Sequence, residues 1–169
     1  MRFSPTDEGF FEKIKQPEWQ PDYGPLEFPA KHGATVLGAR KLLLAYNINI
    51  NTKDAKIAHE IAKDIRESGR WKKDEAGNKT KVPGVLKAGK ALGWYIPGYP
   101  CAQVSMNLVD IEKTSMHEVF ETVKKTAEKY QVKVTGSELV GLVPLASMLN
   151  AGKYFFEKEC PSCLPIKPN

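Results

Sequence analysis

The side chains in this sequence best suited to specific chemistry are neutral amides. In LLAYNININ, Asn47, Asn49 and Asn51 alternate with Tyr46, Ile48 and Ile50. In AQVSMNL, Gln103, Ser105 and Asn107 alternate with Val104, Met106 and Leu108. A period of two marks a strand with two unlike faces. Asparagine is depleted from strands, so a strand face lined with it calls for a reason. Amides donate and accept hydrogen bonds while staying neutral. That chemistry is recognition rather than proton transfer, and it suits a ligand rich in carbonyls, amides and ring nitrogens. The plainer alternatives are an amide ladder that only links strands, or a face that docks another protein domain.

Other candidates carry less. His59 and His117 fall on helix-like segments and are expected at the surface. His32 lies in a Pro/Gly loop and is the histidine to associate with a site. A histidine without an orienting carboxylate is little evidence for base catalysis. Arg40 has the fork to hold a carboxylate, with an ordinary strand-end arginine as the alternative. GATVLGARK looks like a phosphate loop, but it lacks the closing GK[ST] and runs into a strand. Gly33 and Gly38 are read as backbone-permissive positions, with Gly33 allowing a ligand close approach. Cys101, Cys160 and Cys163 make no disulfide framework. CPSC has no second pair to complete a zinc site, so it is read as a terminal pair, and no metal is expected.

The surrounding chain must position the amides. Its 169 residues, 41% hydrophobic and 27% charged, are enough for one domain with a core. The net charge of +5 allows an anionic partner. The densest basic stretch, RWKKDEAGNKTK, reads as a mobile loop because of its Gly and Asn. Nucleic acid is not the expected partner: a sheet that stacks bases needs aromatic side chains on its central strands, and here those positions are Asn, Gln and Ser. No apolar run approaches the roughly 20 residues of a membrane span, and MRFSPTDEGF has no apolar leader core. The expectation is a cytoplasmic protein with no membrane partner.

Residues 1–34 are rich in Pro, Gly and aromatics and read as an ordered extended loop. A strand follows over about 41–50. NTKDAKIAHEIAKDIRESG reads as a helix, capped by Asn51 or Thr52 and closed near Gly69, with Ala58, Ile61, Ala62 and Ile65 on one face. LKAGKALGWYI and CAQVSMNLVD read as strands joined by PGYP. Ser115 and Glu118 form a capping box that opens a helix with a stripe of Met116, Val119, Phe120, Val123, Ala127 and Tyr130. VKVTGSELVGLV reads as a strand interrupted or terminated near Gly136. A last helix starts at Pro144, with Leu145, Met148, Leu149, Gly152, Phe155 and Phe156 expected inward. The order is ferredoxin-like βαββαβ, an α/β (α+β) fold with both helices on one face of the sheet. It makes the two amide-bearing strands central neighbours. Three segments are expected: an extended Pro/Gly-rich linker and loop over 1–40, a folded subdomain over 41–158, and a tail over 159–169.

At this length the motifs resemble a known family. PDYGP, HGATVLGARKLLLAYNINI, GWYIPG, AQVSMNLVD and VTGSELVGLVPLASML resemble, in order, the second half of glutamate formimidoyltransferase, the formiminotransferase part of formiminotransferase-cyclodeaminase. The resemblance runs from about residue 14 to 158. It implies a transferase that moves the formimino group of N-formimino-L-glutamate to N5 of tetrahydrofolate in histidine breakdown. It implies two facing subdomains with the folate held between them. The folate loop would be Gly24, Pro25, Leu26, Glu27, Phe28, Pro29, Ala30, Lys31, His32 and Gly33, joined by Arg40 and the amide face. Lys79 and Lys81 are candidates, on charge alone, for attracting a polyglutamate tail. The family's histidine-bearing segment, resembling HKGEHPRMGALD, has no match here, and neither has the cyclodeaminase domain. The expectation is therefore a folate-binding half without a catalytic residue of its own, needing the first subdomain as partner. The alternative is a non-catalytic interaction module of the same fold.

Overall fold

The computed structural model describes residues 17, 20–25, 27, 31, 33, 35, 37–74, 77–98 and 100–160. The chain divides into two compact units, Met1–Ala39 and Arg40–Asn169. Among the described residues of the first unit, Gly24 and Gly33 take positive φ of 102° and 70°.

The second unit contains β1 (Leu44–Ile50), α1 (Ala55–Ile65), β2 (Arg70–Lys73), β3 (Lys79–Val82), β4 (Gly89–Tyr95), β5 (Ala102–Leu108), α2 (Met116–Lys129), β6 (Val134–Val140) and α3 (Leu145–Glu159). The main sheet has the order β4-β5-β1-β6, and every neighbouring pair is antiparallel. This is the expected ferredoxin-like order, with β1 and β5 at its centre.

The period-two reading holds on both central strands. Leu44, Tyr46, Ile48 and Ile50 of β1 and Ala102, Val104, Met106 and Leu108 of β5 enter one apolar core. They meet Ala58, Ile61, Ala62 and Ile65 of α1 and Val119, Val123 and Ala127 of α2. Burial of each Leu or Ile in such a core contributes about 1.5–3 kcal/mol. Gly93 brings β4 against α1: a Cβ there would lie 2.0 Å from the His59 backbone nitrogen.

Several local features differ from the sequence expectation. The N-cap of α1 is Asp54, whose side chain accepts from the Lys56 amide at 2.8 Å. Asn51 is drawn away instead, because its Oδ1 accepts from the Lys133 amide at 2.6 Å. The basic stretch expected to be a mobile loop forms a ribbon of β2 paired with β3. Arg70 ties its root to the helices, donating to Glu60 at 2.9 Å and to the Tyr130 hydroxyl at 3.1 Å. The interruption near Gly136 is a register shift: Asn49 pairs with Gly136, but Ile50 pairs with Val134. The Ser115–Glu118 capping box is present.

The third helix is the largest correction. Leu145, Met148, Leu149 and Phe156, expected inward, are 73%, 45%, 62% and 48% exposed, and Gly152 is exposed as well. Phe155, also expected inward, does turn toward α2, joined there by Tyr154, and Ala151 is buried. Tyr154 stacks on His117 at 4.5 Å, and Phe155 meets Phe120 edge-on at 5.8 Å. An apolar stripe states which side prefers cover, not that the chain supplies it. No helix among the described residues is long and apolar enough to cross a membrane.

Candidate functional site

Strand pairing sorts the side of the sheet opposite α1 and α2 into three rows. Lys90, Asn107, Ala45 and Val140 form one row. Leu92, Ser105, Asn47 and Glu138 form the next. Trp94, Gln103, Asn49 and Gly136 form the third. Directly opposed side chains touch, so the amides make one continuous group, as the alternation implied.

Gln103 is its centre. Its Oε1 accepts from the Trp94 indole Nε1 at 3.0 Å. Its Nε2 donates to Asn49 Oδ1 at 2.8 Å and to Glu138 Oε2 at 3.3 Å. An indole N–H only donates and a carboxylate only accepts, so the two ends of the Gln103 amide are fixed by their neighbours. Asn47 Nδ2 donates to Glu138 Oε1 at 3.1 Å. Gln103 is 1% and Asn47 7% exposed. These are buried polar groups with partners, which is the condition for a buried amide to be tolerated.

Two members of this group escaped the sequence reading. Trp94 places an aromatic ring on the face at edge strand β4, outside the two central strands whose alternation marks the amides. Glu138 puts a carboxylate where a neutral wall was expected. Its signal was present in the alternation of Gly136, Glu138 and Val140, but only pairing with β1 reveals that it joins the asparagines.

The remaining candidates fall elsewhere. Ser105 is half-buried beside Asn47, and Asn107 is exposed at the margin. Arg40 is exposed, and its guanidinium donates to the neighbouring Lys41 carbonyl at 3.2 Å. Gly24, Pro25, Glu27, Lys31 and Gly33 belong to the first unit. Leu26, Phe28, Pro29, Ala30 and His32 lie outside the described residues, as does Cys163. Lys79 and Lys81 are exposed on the ribbon, whose root is held on the helix side of the sheet rather than among the amides. His59 and His117 are half-buried rather than at the surface. His59 Nδ1 accepts from the Gly93 amide at 3.4 Å, and His117 Nε2 lies 3.1 Å from Ser115 Oγ. Both therefore serve packing around the helices. Among the described residues, no group of three or more His, Cys, Asp or Glu could hold a metal ion.

The face thus gathers fixed amides, one carboxylate and an indole into one hydrogen-bonded group. Among its described residues, none is arranged as a nucleophile with its base.

Comparison with known proteins gives this face a context. A family profile described as the formiminotransferase domain matches residues 45–166. The chain is 49% identical over 149 residues to the formimidoyltransferase-cyclodeaminase of Sus scrofa, covering 88% of this chain and 26% of that protein. It is 46% identical over 153 residues to the protein of that name from Dictyostelium discoideum, covering 90% and 27%. It is 40% identical over 152 residues to the glutamate formimidoyltransferase of Streptococcus pyogenes serotype M1, covering 90% and 46%. The chain thus spans about a quarter of the first relatives and under half of the last.

Proposed function

This chain belongs to the formiminotransferase family, and we propose that it is the folate-binding part of a transferase that carries the formimino group from N-formimino-L-glutamate to tetrahydrofolate. The observation that carries the reading is the amide face of β1 and β5, with Glu138 and Trp94, inside the segment that matches the family. Pteridines and glutamyl amides present carbonyls, N–H groups and ring nitrogens, and fixed amides answer them.

In the reaction, N5 of tetrahydrofolate attacks the formimidoyl carbon, the bond from that carbon to the glutamate nitrogen breaks, and glutamate leaves with the proton lost from N5. This chain would orient the folate through the amide face, with Arg40 contributing a contact. A histidine on the first subdomain would take the N5 proton. Tetrahydrofolate is then a substrate, and the work belongs in the cytoplasm. A second reading has support of its own. The exposed apolar side of α3, carried by Leu145, Met148, Leu149 and Phe156, suits a protein partner, and a non-catalytic interaction module would need nothing else.

Calorimetry with folinate and a turnover assay separate the two. The folate reading expects folinate to bind this chain, no turnover by the chain alone, and turnover once a histidine-bearing first subdomain is added. Full turnover by the chain alone would refute the division of labour. Absence of heat with any folate, together with tight association with a protein, would favour the interaction module.

A further inference from the structure

The ribbon of β2 and β3 carries features that its own stability does not call for. Strand alternation puts Trp71 and Lys73 on one face of it. Pairing sets Lys81 opposite Trp71 and Lys79 opposite Lys73 on that same face. Like charges directly opposed across a ladder are destabilising, and Trp71 is 67% exposed. The three lysines are exposed as well, and none makes an ion pair with a described residue.

The ribbon is held in shape without these four side chains. At its root, Arg70 pairs with Glu60 and Asp64 of α1. In the turn, the Asp74 carboxylate accepts from the Asn78 amide at 2.7 Å and from Asn78 Nδ2 at 3.2 Å. That carboxylate therefore fixes the turn instead of neutralising the lysines. The stretch from Arg70 to Val82 contains five basic residues and two acidic ones. The result is an indole and three ammonium groups in two rows about 7 Å apart, on a fixed support.

We propose that this face of the ribbon binds single-stranded nucleic acid, with a base stacked on Trp71 and phosphates held by Lys73, Lys79 and Lys81. An indole offers a π-face on which any base can stack, and basic side chains beside it track the backbone. The central strands of the main sheet carry no such ring on their open face, so the ribbon and not the sheet is the surface for a base. A lipid surface fits less well. Trp71 stands in the row nearer the root, whereas Lys73, Lys79 and the Asp74 carboxylate stand nearer the tip, where a membrane anchor would need its apolar side chain. A purely acidic chain would answer the lysines and leave the indole unmatched. The inference is independent of the folate reading, because the ribbon is rooted on the helix side of the sheet.

The test is fluorescence anisotropy with the whole chain at low and then rising salt. The probes are labelled oligo(dT) and oligo(U) of about eight nucleotides and a labelled poly-L-glutamate peptide; vesicles of phosphatidylcholine with phosphatidylserine are tested by co-sedimentation. Oligonucleotide is expected to bind, with log affinity falling against log salt at a slope of about −2 for three phosphate contacts. Trp71→Ala should weaken that binding about 5- to 100-fold and leave poly-L-glutamate unaffected, and Trp71→Phe should restore most of the loss. Replacing Lys79→Gln and Lys81→Gln together should weaken binding and reduce the slope by about 1.4. Tighter binding of oligo(U) than of oligo(dT) assigns the surface to RNA, the reverse to DNA, and equal binding to single strands of either kind. Four results each overturn the proposal: no oligonucleotide bound at low salt, binding that Trp71→Ala does not change, poly-L-glutamate bound as tightly as oligonucleotide, or vesicles bound without oligonucleotide. Melting curves separate loss of binding from loss of fold. Folinate titrated into Trp71→Ala and into the wild type should give the same affinity, so failure of the folate reading is seen separately.

Discussion

The two faces of this sheet bury their side chains by different means. On the helix side, Ile48, Ile50, Val104 and Leu108 are fully buried against α1 and α2, and what holds them is exclusion of water and close packing. On the other side, Gln103 is as completely buried, yet what holds it is a set of directed hydrogen bonds to Trp94, Asn49 and Glu138. The first face tolerates neither gaps nor extra atoms. The second tolerates changes of volume better than changes in the sense of a donor or acceptor. One face holds by volume, the other by the direction of its hydrogen bonds.

This difference can be broken or sharpened by substitution. The largest effect belongs to the core. Ile48→Ala should cost about 2–5 kcal/mol of stability in urea unfolding, while folinate affinity of the remaining folded protein changes by less than about twofold. A large change in affinity would show that the two faces are not separable. Gly93→Ala probes the same side by overfilling. Its new Cβ would sit 2.0 Å from the His59 nitrogen and 2.1 Å from the Ala58 carbonyl carbon. A backbone shift is forced, and thermal unfolding should report a loss of about 1–3 kcal/mol or more.

Gln103→Leu crosses to the other face. It keeps the bulk but orphans the Trp94 N–H and the Asn49 carbonyl, a cost of about 1–3 kcal/mol in urea unfolding. Unlike the core substitutions, it should also weaken folinate about tenfold in calorimetry. Stability lost with unchanged affinity would reduce the network to strand glue.

The smallest effect is pH-dependent and belongs to the helix side. The hydrogen bond from Lys63 holds the Glu60 carboxyl below its ordinary value of 4.5, with further pull from Lys63 and Arg70. The folded pKa lies below the unfolded one. The resulting stability is complete above the unfolded value and fades as pH falls through the lowered folded value. Glu60→Gln should flatten that acid slope when urea midpoints are followed from neutral pH downward.

How much was legible follows from how local each signal is. Alternation within seven residues disclosed both faces of β1 and β5, because side-chain direction in a strand is a local property. The Ser115 capping box was equally local. What escaped depended on distant pairing. Asn51 gave up the helix cap because Lys133, just before β6, reached it, and Glu138 joined the asparagines only through the β1–β6 ladder. The ribbon was hidden by composition, since Lys, Asp, Gly and Asn speak for loops while its order comes from Arg70 binding to α1. The stripe of α3 was a true period assigned to the wrong side, because hydrophobicity alone cannot name its partner.

The folate reading puts the ligand against the amide face and not elsewhere on this unit. Side-chain amide resonances test it most directly. On titration with folinate, the Nδ2 and Nε2 signals of Asn47, Asn49 and Gln103 and the Trp94 indole N–H should shift together, while backbone amides of α1 and of the β2–β3 ribbon stay put. Shifts centred on the ribbon or the helices, with those four signals unmoved, would contradict the account.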